Sequence, residues 1–326
     1  MRYPYIDMHC DTLLRTYREE PERLYDGRDG MQGFRLMQEA GQMCQFFAVF
    51  FPPRERKQQP PLPPTDEEFF DRLCSALKEQ VSLHRDIIAS ATNAKETTEN
   101  WKNGLASAFL TIEDGRMVNG KMENLQKLYD AGVRAIALTW NYSNCFGFPN
   151  STDPEIMKKG LTDFGISAIE EMNRLGIMVD VSHLSDGGFY DVVQLSKKPF
   201  IASHSNCREL TSHPRNLTDG MIRLLAAKGG IMGLNLYSEF VTPDGAKPES
   251  RIEYLVAHVL HMFHVGGEDC IGIGTDFDGI DGQLDIDKPI EMELLFDALH
   301  KKGLTERQMD KFAYGNALRV IKENMG

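Results

Sequence analysis

Residues 177–204 read IMVDVSHLSDGGFYDVVQLSKKPFIASH. The runs at the two ends of this stretch, 177–183 and 199–204, are short and apolar, and each finishes on a histidine. Such runs are typical of strands that are buried on both faces of a parallel sheet. Residues 186–195 between them are predicted to form a helix. This strand–helix–strand order is the repeating unit of α/β proteins with a parallel sheet.

The same alternation extends in both directions along the chain. Further apolar runs at 3–9, 44–51, 105–113, 134–140, 229–236 and 270–278 bring the predicted strands to eight. Further helices are predicted at 66–89, with Thr65 as the N-cap, and at 121–131, 162–175, 219–228, 250–265 and 289–301. Eight strand–helix repeats favour a (β/α)8 TIM barrel as a single α/β domain over residues 1–326, with a doubly wound open sheet as the alternative.

Three segments lie outside this pattern or decorate it. Residues 52–65 are rich in proline and charge and are predicted to be an exposed loop. Residues 304–321 predict two additional C-terminal helices hinged at Gly315. His258, His261 and His264 recur along the predicted helix 250–265 without an accompanying carboxylate, so they are expected to lie on its surface.

The composition limits the classes of partner. The chain has 36 Lys+Arg against 48 Asp+Glu, a formal net charge of −12, and it has no basic run. This charge disfavours nucleic acid or an anionic membrane as a partner. The N-terminus lacks a signal-peptide pattern, and no apolar run approaches about 18 residues. The six cysteines are scattered without a C-x-x-C pair, which is typical of free thiols in a reducing compartment. We therefore expect a cytoplasmic protein.

Side chains that bind metals stand at the predicted ends of several strands. His9 and Asp11 follow the first strand, Glu113 closes the third, His183 the fifth and His204 the sixth. In a parallel barrel the carboxyl ends of all strands meet on one face, where active sites are built. Buried histidines and carboxylates need partners, and a divalent metal ion satisfies several of them at once. The pattern predicts a metal site, with zinc preferred and manganese, cobalt or iron as alternatives.

Each of these residues has a less specific interpretation when taken singly. An H-x-D pair such as His9 and Asp11 is common by chance, and Glu113 suits a helix cap or a loop. A lone histidine such as His183 or His204 is more often a satisfied core residue. Their coincidence at matching strand ends favours the metal site over these alternatives.

Aspartates accompany the candidate ligands. Asp276 and Asp278 close the eighth predicted strand, at the same face of the barrel. Asp180 lies three residues before His183. It is expected either to orient a metal ligand or to be a buried structural carboxylate.

Together these motifs resemble the membrane (renal) dipeptidase family, the M19 zinc peptidases among the amidohydrolase-like barrels. The resemblance spans nearly the whole chain. The motifs that carry it are, in order, DMHCDT (7–12), TIEDG (111–115), VDVSH (179–183), ASHSNCRELTSHPRNLTD (202–219), GIGTDFDG (272–279) and YGNALRVI (314–321).

The resemblance implies a binuclear zinc centre. One zinc would be held by His9, Asp11 and Glu113, and the other by Glu113, His183 and His204. A hydroxide that bridges the two ions would be the nucleophile, because two cations lower its pKa.

The resemblance also implies working residues around the metals. Asp276 matches the residue that contacts the water and carries its proton to the leaving amine. Arg215 matches the arginine that holds the terminal carboxylate of the substrate, a task that suits its two-pronged guanidinium. Tyr237 after the seventh strand is a further candidate for that contact.

One position departs from the family pattern. Its best-known members carry a histidine after the fourth strand, in L-T-H, which stabilises the developing oxyanion, whereas this chain has Trp140 there. An indole N–H donates a hydrogen bond but cannot become a cation. Losing one oxyanion donor costs on the order of 100-fold in turnover. Asn141, Tyr142 and Asn144 are the candidates to take over its role, and Trp140 and Asn144 are predicted to contact the substrate.

The resemblance predicts a zinc-dependent dipeptidase of the membrane dipeptidase type, with tolerance of a D-residue at the C-terminal position. The alternative enzyme is a metal-dependent amidase or deacylase that acts on N-acyl amino acids, since Arg215 serves that substrate equally well. A third interpretation, from another class of protein, is a catalytically inactive barrel that serves as a binding protein. The presence of all five predicted ligands and Asp276 disfavours it. Members of the family often form dimers, so a homodimer is the assembly to test.

Overall fold

The structure is a computed structural model that describes residues 3–18, 20–55 and 60–326. Within these residues it has one parallel sheet of nine strands. The strands are β1 (Tyr5–Cys10), β2 (Gln42–Phe50), β3 (Ile88–Ser90), β4 (Ala106–Glu113), β5 (Val133–Ala137), β6 (Met178–Asp180), β7 (Ile201–Ala202), β8 (Ile231–Leu234) and β9 (Ile271–Ile273).

Eight of these strands close into a barrel. Strand β1 pairs with β2 on one side and β9 on the other, and the order then runs from β9 down to β4. A parallel pairing of β2 with β4, from Cys44 opposite Ser107 to Phe50 opposite Glu113, closes the ring. The predicted (β/α)8 barrel is confirmed, and the open sheet is excluded by this closure.

Helices surround the barrel between the strands. They are α1 (Thr12–Arg18), α2 (Arg23–Asp26), α3 (Phe34–Ala40), α4 (Asp66–Leu83), α5 (Ala94–Lys102), α6 (Met122–Ala131), α7 (Pro154–Met157), α8 (Asp163–Leu175), α9 (Asp186–Leu195), α10 (Asp219–Ala227), α11 (Ser238–Val241), α12 (Ile252–Gly266), α13 (Met292–Lys301), α14 (Glu306–Asp310) and α15 (Asn316–Met325). Short 3₁₀ turns cover Gly115–Val118 and Pro289–Glu291, and a π-helical turn covers Lys311–Gly315. No helix in the described part of the chain is long and apolar enough to cross a membrane.

Local sequence signals set the ends of several helices. The Thr65 hydroxyl accepts a hydrogen bond from the Glu68 N–H at 3.1 Å, which confirms it as the N-cap of α4. Helices α6 and α8 end at Gly132 and Gly176, whose φ values of 107° and 84° favour glycine.

Three local predictions were wrong. The helix predicted at 66–89 ends at Leu83, and the chain then forms β3, which pairs with the start of β4 outside the closed ring. Gly315 is no hinge, because its φ of −62° and ψ of −42° are helical and the chain passes through the π turn into α15. His258 is buried rather than on the surface of α12, and His261 lies 2.7 Å from the Asp219 carboxylate.

The loop predicted at 52–65 has no helix or strand in its described residues, 52–55 and 60–65. Residues 56–59 of this prediction lie outside the described part of the chain.

The apolar core leaves one end of the barrel for chemistry. Inward-facing side chains such as Ile6, Phe46 and Phe109 fill the interior, and they pack in one cluster with Val320 and Ile321 of α15. The C-terminal helix therefore covers the end of the barrel where the strands begin. The polar side chains collect at the opposite end, where the strands finish.

Candidate metal centre

The five predicted ligands come together at the carboxyl end of the barrel. His9 lies inside β1 and Asp11 directly after it, while Glu113 is the last residue of β4. His183 and His204 lie in the connections that follow β6 and β7. All five are buried, with at most 8% of their surface exposed. The sequence prediction that these residues converge is thus met by the structure.

Glu113 stands between two groups of candidate ligands. Its Oε1 atom lies 2.9 Å from His183 Nε2 and 3.5 Å from His204 Nε2. Its Oε2 atom lies 3.7 Å from His9 Nε2. The two oxygens of one carboxylate therefore face different histidines, which is the arrangement that a bridging ligand needs.

The other half of the cluster is rich in carboxylates. His9 Nε2 lies 3.8 Å from Asp11 Oδ1 and 3.8 Å from Asp276 Oδ1. Two sets of side chains bring their ligand atoms within 4.8 Å of one another, namely His9 with Glu113 and His204, and His9 with Asp11 and Asp276. Both sets mix nitrogen and oxygen donors, as zinc and its neighbours in the periodic table prefer.

Unsatisfied polar atoms indicate that a cation fits here. His9 Nε2, Asp11 Oδ1 and Glu113 Oε2 are buried and have no hydrogen-bond partner in the described part of the chain. Such an atom costs roughly 1–3 kcal/mol when nothing pairs with it. Because these three atoms all face the same small volume, one class of ligand, a divalent cation, would satisfy them together.

The ionisation of the cluster points the same way. Burial would lower the pKa of His9, but Glu113, Asp11 and Asp276 outweigh it and raise that pKa to about 10. Burial and Glu113 raise the pKa of Asp11 well above its usual value. The carboxylates thus favour positive charge at this point. A proton on His9 supplies that charge, at the place where a bound metal ion would otherwise supply it.

His183 and His204 have the opposite character. Burial and then Arg215 lower the pKa of His183 to about 4. Burial and then His9 lower the pKa of His204 well below its usual value. Both imidazoles are neutral near pH 7, which is the form that binds metals.

Hydrogen bonds fix the orientation of both neutral histidines. Ser203 Oγ lies 2.7 Å from His204 Nδ1 and donates to Asp180 Oδ2 at 2.5 Å. Asp180 therefore orients a candidate ligand, which is one of its two predicted roles. That candidate is His204, and Asp180 acts on it through Ser203. Asn141 Oδ1 lies 3.0 Å from His183 Nδ1. In both rings Nδ1 is engaged, and Nε2 is left to face Glu113.

The backbone is strained at two residues of the site, His183 and Asp276. His183 and Asp276 have φ values of 67° and 66°, in the left-handed region that only a few per cent of non-glycine residues adopt. The carbonyl oxygen of His183 accepts hydrogen bonds from the backbone and side chain of Asn150, at 2.7 and 3.0 Å. A Cβ at Gly279 would collide with the carboxylates of Asp11 and Asp276. Strain held by surrounding contacts is common at functional sites.

Asp276 lies beside the cluster and has its own support. Asn235 Nδ2 donates to Asp276 Oδ2 at 2.9 Å, which leaves Oδ1 toward His9. Burial raises the pKa of Asp276 to about 6, with His9 and Glu113 acting in opposite directions. Sequence reasoning missed Asn235, although its place directly after β8 could have indicated it.

Asp278, in contrast, faces away from the cluster. It accepts hydrogen bonds from the Thr12 hydroxyl at 2.7 Å and the Met31 N–H at 2.7 Å. It anchors the chain segments that follow β1 rather than joining the candidate ligands.

A cavity of about 430 Å³ opens beside His183. His183, Arg215, Tyr237 and Phe240 line it, together with Asn141. Its volume is within the range of pockets that bind small ligands.

Arg215 is buried at the wall of this cavity. Its guanidinium donates to Ser205 Oγ at 3.2 Å and to the His204 carbonyl oxygen at 3.1 Å, and it lies over the Phe240 ring. Its Nε is buried without a partner in the described part of the chain. Burial lowers its pKa only to about 10, so the group stays charged at neutral pH. A buried cation with an unused donor is suited to an anionic ligand group.

Tyr237 and Trp140, two further residues predicted to contact the substrate, have different surroundings. Tyr237 is half-buried, lines the cavity and packs against Phe240 with ring centroids 4.9 Å apart. Trp140 packs edge-on against Phe50, and its ring lies 6.2 Å from that of His183.

The Asn144 amide is used within the fold. It donates to Asp114 Oδ1 and to the Leu138 carbonyl oxygen, both at 2.8 Å, and it accepts from the Phe146 N–H. The predicted contact of Asn144 with a substrate therefore gains no support from its geometry.

The fold and the site define a (β/α)8 barrel with a candidate metal centre at the carboxyl ends of its strands. A family model described as membrane dipeptidase (peptidase family M19) matches residues 1–325, so the chain belongs to that family.

Solved structures agree with this assignment. The chain is similar to a crystal structure described as dipeptidase AC, a metallo peptidase of family M19, with a TM-score of 0.89 and 28% identity over 100% of both chains. It is also similar to a metallo peptidase from Rhodobacter sphaeroides bound to a phosphinate mimic of the dipeptide L-Ala-D-Ala. There the TM-score is 0.88, with 27% identity over 99% of this chain and 100% of that one.

A relative by sequence is the dipeptidase verJ of Clonostachys rogersoniana, 32% identical over 246 residues. The match covers 74% of this chain and 61% of that protein. The chain thus spans less than two thirds of the length of this relative.

Proposed function

We propose that this protein is a metal-dependent dipeptidase that hydrolyses the peptide bond of small dipeptides. The observation that carries the proposal is the position of Arg215. It is a buried cation with an unpaired donor, in the wall of a small cavity that His183 also lines. A substrate carboxylate at Arg215 would place the adjacent peptide bond beside the metal ligands.

Two divalent cations, with zinc as the first choice and manganese, cobalt or iron as alternatives, are the proposed cofactor. Glu113 would be shared between them, with His9 and Asp11 on one side and His183 and His204 on the other. Such ions supply Lewis acidity and bring the pKa of a water molecule toward neutrality.

Asp276 is the proposed proton carrier of the reaction. Its Oδ1 atom faces the cluster, and Asn235 holds the other oxygen. A carboxyl group with a pKa raised to about 6 can both take and release a proton near neutral pH. It would take the proton of the attacking water and deliver it to the nitrogen of the leaving amino acid.

The C-terminal residue of the substrate is the part that Arg215 and Tyr237 would recognise. A guanidinium recognises the carboxylate group and does not distinguish the configuration of the carbon that bears it. This supports acceptance of a D-residue there, and the solved relative with a bound L-Ala-D-Ala mimic adds to that support. We also propose a cytoplasmic location, because all six cysteines are free.

An N-acyl amino acid deacylase is the second candidate. It would use Arg215 in the same way, because an N-acyl amino acid carries the same terminal carboxylate. The two candidates differ only in whether the group on the other side of the scissile bond bears a free amine.

A substrate panel with defined metals tests these proposals. The panel contains L,L and L,D dipeptides, the matching N-acyl amino acids and C-terminally amidated dipeptides. We expect turnover of the free dipeptides and a large loss for the amidated ones, since amidation removes the carboxylate. Turnover of N-acyl amino acids without dipeptides would favour the second candidate. Equal turnover of amidated and free dipeptides would contradict the role of Arg215.

A further inference from the structure

The loop that follows β5 brings Asn141 to the cavity. It is the direct neighbour of Trp140 in the sequence. We propose that Asn141 donates a hydrogen bond to the carbonyl oxygen that becomes an anion during hydrolysis. This inference rests on the proposed function and names a further catalytic residue for it.

The tautomer of His183 fixes which way the Asn141 amide faces. His183 Nε2 lies 2.9 Å from Glu113 Oε1 and 3.1 Å from His204 Nε2. A ligand nitrogen in that position must present its lone pair, so the proton of the neutral ring resides on Nδ1. Nδ1 lies 3.0 Å from the Asn141 side chain, and only the amide oxygen can accept its proton. The amide nitrogen is consequently directed away from His183.

The two N–H groups of Asn141 are available to a ligand. Among the described residues, the bond to His183 is the one hydrogen bond of this side chain. Asn144 and Asn150, the other asparagines of the same loop, donate to protein atoms instead. Asn141 also lines the cavity that contains Arg215 and Tyr237.

The two neighbouring aromatic residues are less suited to this role. Of residues 140–142, Asn141 alone lines the cavity. The Trp140 ring packs edge-on against Phe50 with centroids 4.9 Å apart. Tyr142 is exposed, as Asn141 also is, but unlike Asn141 it does not line the cavity. Of residues 140–142, Asn141 is thus the donor that faces the cavity, and it does so beside the candidate metal ligand His183.

The chemical step shows what this donor would do. Water adds to the carbonyl carbon, a C–O bond forms, and the electron pair of the C=O π bond moves onto the carbonyl oxygen. The Asn141 N–H groups donate to that oxygen while it is negative. The pair then returns, the C–N bond breaks, and the proton lost by water passes through Asp276 to the leaving nitrogen. A donor placed for the anion stabilises the transition state more than the substrate.

Two substitutions separate this role from that of holding His183. Asn141→Asp keeps an oxygen acceptor for His183 Nδ1 but places a carboxylate oxygen where the N–H donors were. We expect metal affinity to stay within about threefold of wild type while kcat falls by about 100-fold or more. Asn141→Ala removes both functions, so kcat falls and metal affinity also drops by about 10- to 100-fold.

Binding of a phosphinate dipeptide mimic to the metal-loaded protein gives a readout other than turnover. Its tetrahedral oxygens resemble the oxyanion, so Asn141→Asp should weaken the mimic by about 100-fold but change KM for a dipeptide little. Asn103→Asp is the matched control. It adds the same charge at an exposed position before β4, at the opposite end of the barrel.

The outcomes distinguish the two levels of the proposal. An active wild-type protein whose Asn141→Asp variant keeps kcat and mimic binding within threefold would overturn the role of Asn141 alone. Equal loss of metal in Asn141→Asp and Asn141→Ala would also overturn it, because an oxygen acceptor at this position would then not be what holds His183, and the amide N–H groups would not be directed to the cavity. A wild-type protein that binds metal but hydrolyses no member of the substrate panel would overturn the proposed function itself.

Discussion

Glu113 and His183 approach to 2.9 Å between Oε1 and Nε2, although one ends β4 and the other follows β6. The second oxygen of Glu113 faces His9 from β1 at 3.7 Å. One carboxylate therefore joins candidate ligands from distant parts of the chain, and its two oxygens divide the cluster into halves.

This relationship predicts the outcome of Glu113→Gln. The substitution keeps the shape of the side chain but removes the charge that both halves share. We expect bound metal to fall from about two equivalents to one or none, because an amide nitrogen cannot ligate in place of the second oxygen. Metal analysis after dialysis measures this. Retention of wild-type metal content would show that Glu113 does not bridge.

Ser203→Ala tests the positioning of His204. It removes the hydroxyl group that links Asp180 to His204 Nδ1 and leaves every candidate ligand in the sequence unchanged. We expect metal affinity to fall by about 10- to 100-fold while the fold is retained. Competition with a chelator of known affinity provides the measurement, and Ser167→Ala on the exposed face of α8 is the matched control. Unchanged affinity would mean that Ser203 is only structural.

Arg215→Ala tests recognition of the substrate. A hydrogen bond between charged groups contributes about 1.5–3 kcal/mol, so KM for dipeptides should rise by about 10- to 100-fold. Metal content should stay at the wild-type level, since Arg215 is not a ligand. Arg215→Lys keeps the charge without the planar fork, and its KM is expected to lie between those of wild type and Arg215→Ala. Loss of metal in Arg215→Ala would show that the arginine has been misassigned.

His258 predicts a pH dependence of stability that is independent of the metal centre. Burial lowers its pKa to about 4, while the unfolded chain has the ordinary value near 6.5. Between these values the unfolded state binds a proton that the folded state does not. This group therefore contributes stability above pH 6.5 that is lost as the pH falls toward 4, by about 1.4 kcal/mol per pH unit.

Denaturant unfolding of wild type and His258→Gln from pH 7 to pH 4 checks this expectation. The variant should be less stable at pH 7, because the Cys207 N–H loses its acceptor. It should also have a shallower pH dependence than wild type. Parallel curves for the two proteins would rule out His258 as the source of the slope.

The sequence was sufficient for the barrel and for the convergence of the candidate metal ligands at one end of it. Parallel strands buried on both faces are continuous apolar runs, and eight of them with helices between have few other ways to pack. A candidate ligand such as His204 is recognisable because it follows such a run directly, and the position of a strand end fixes where its side chain emerges.

Contacts between distant segments could not be predicted from the sequence. Asn235 and Ser203 hold Asp276 and His204 through side-chain hydrogen bonds, and no spacing rule selects an asparagine or a serine for such a task. Strand β3 is three residues long, too short for a pattern. Gly315 suggested a hinge, but packing of the terminal helices against the barrel keeps its backbone helical.

The metal content of the purified protein tests the central claim most directly. The account predicts about two equivalents of zinc or a similar divalent metal per chain, held by His9, Asp11, Glu113, His183 and His204. Elemental analysis of the protein as isolated, repeated after addition of zinc to chelator-treated protein, measures this. About two equivalents together with zinc-dependent hydrolysis of dipeptides is the expected result. No bound metal in either sample, with no activity after zinc is added, would contradict it.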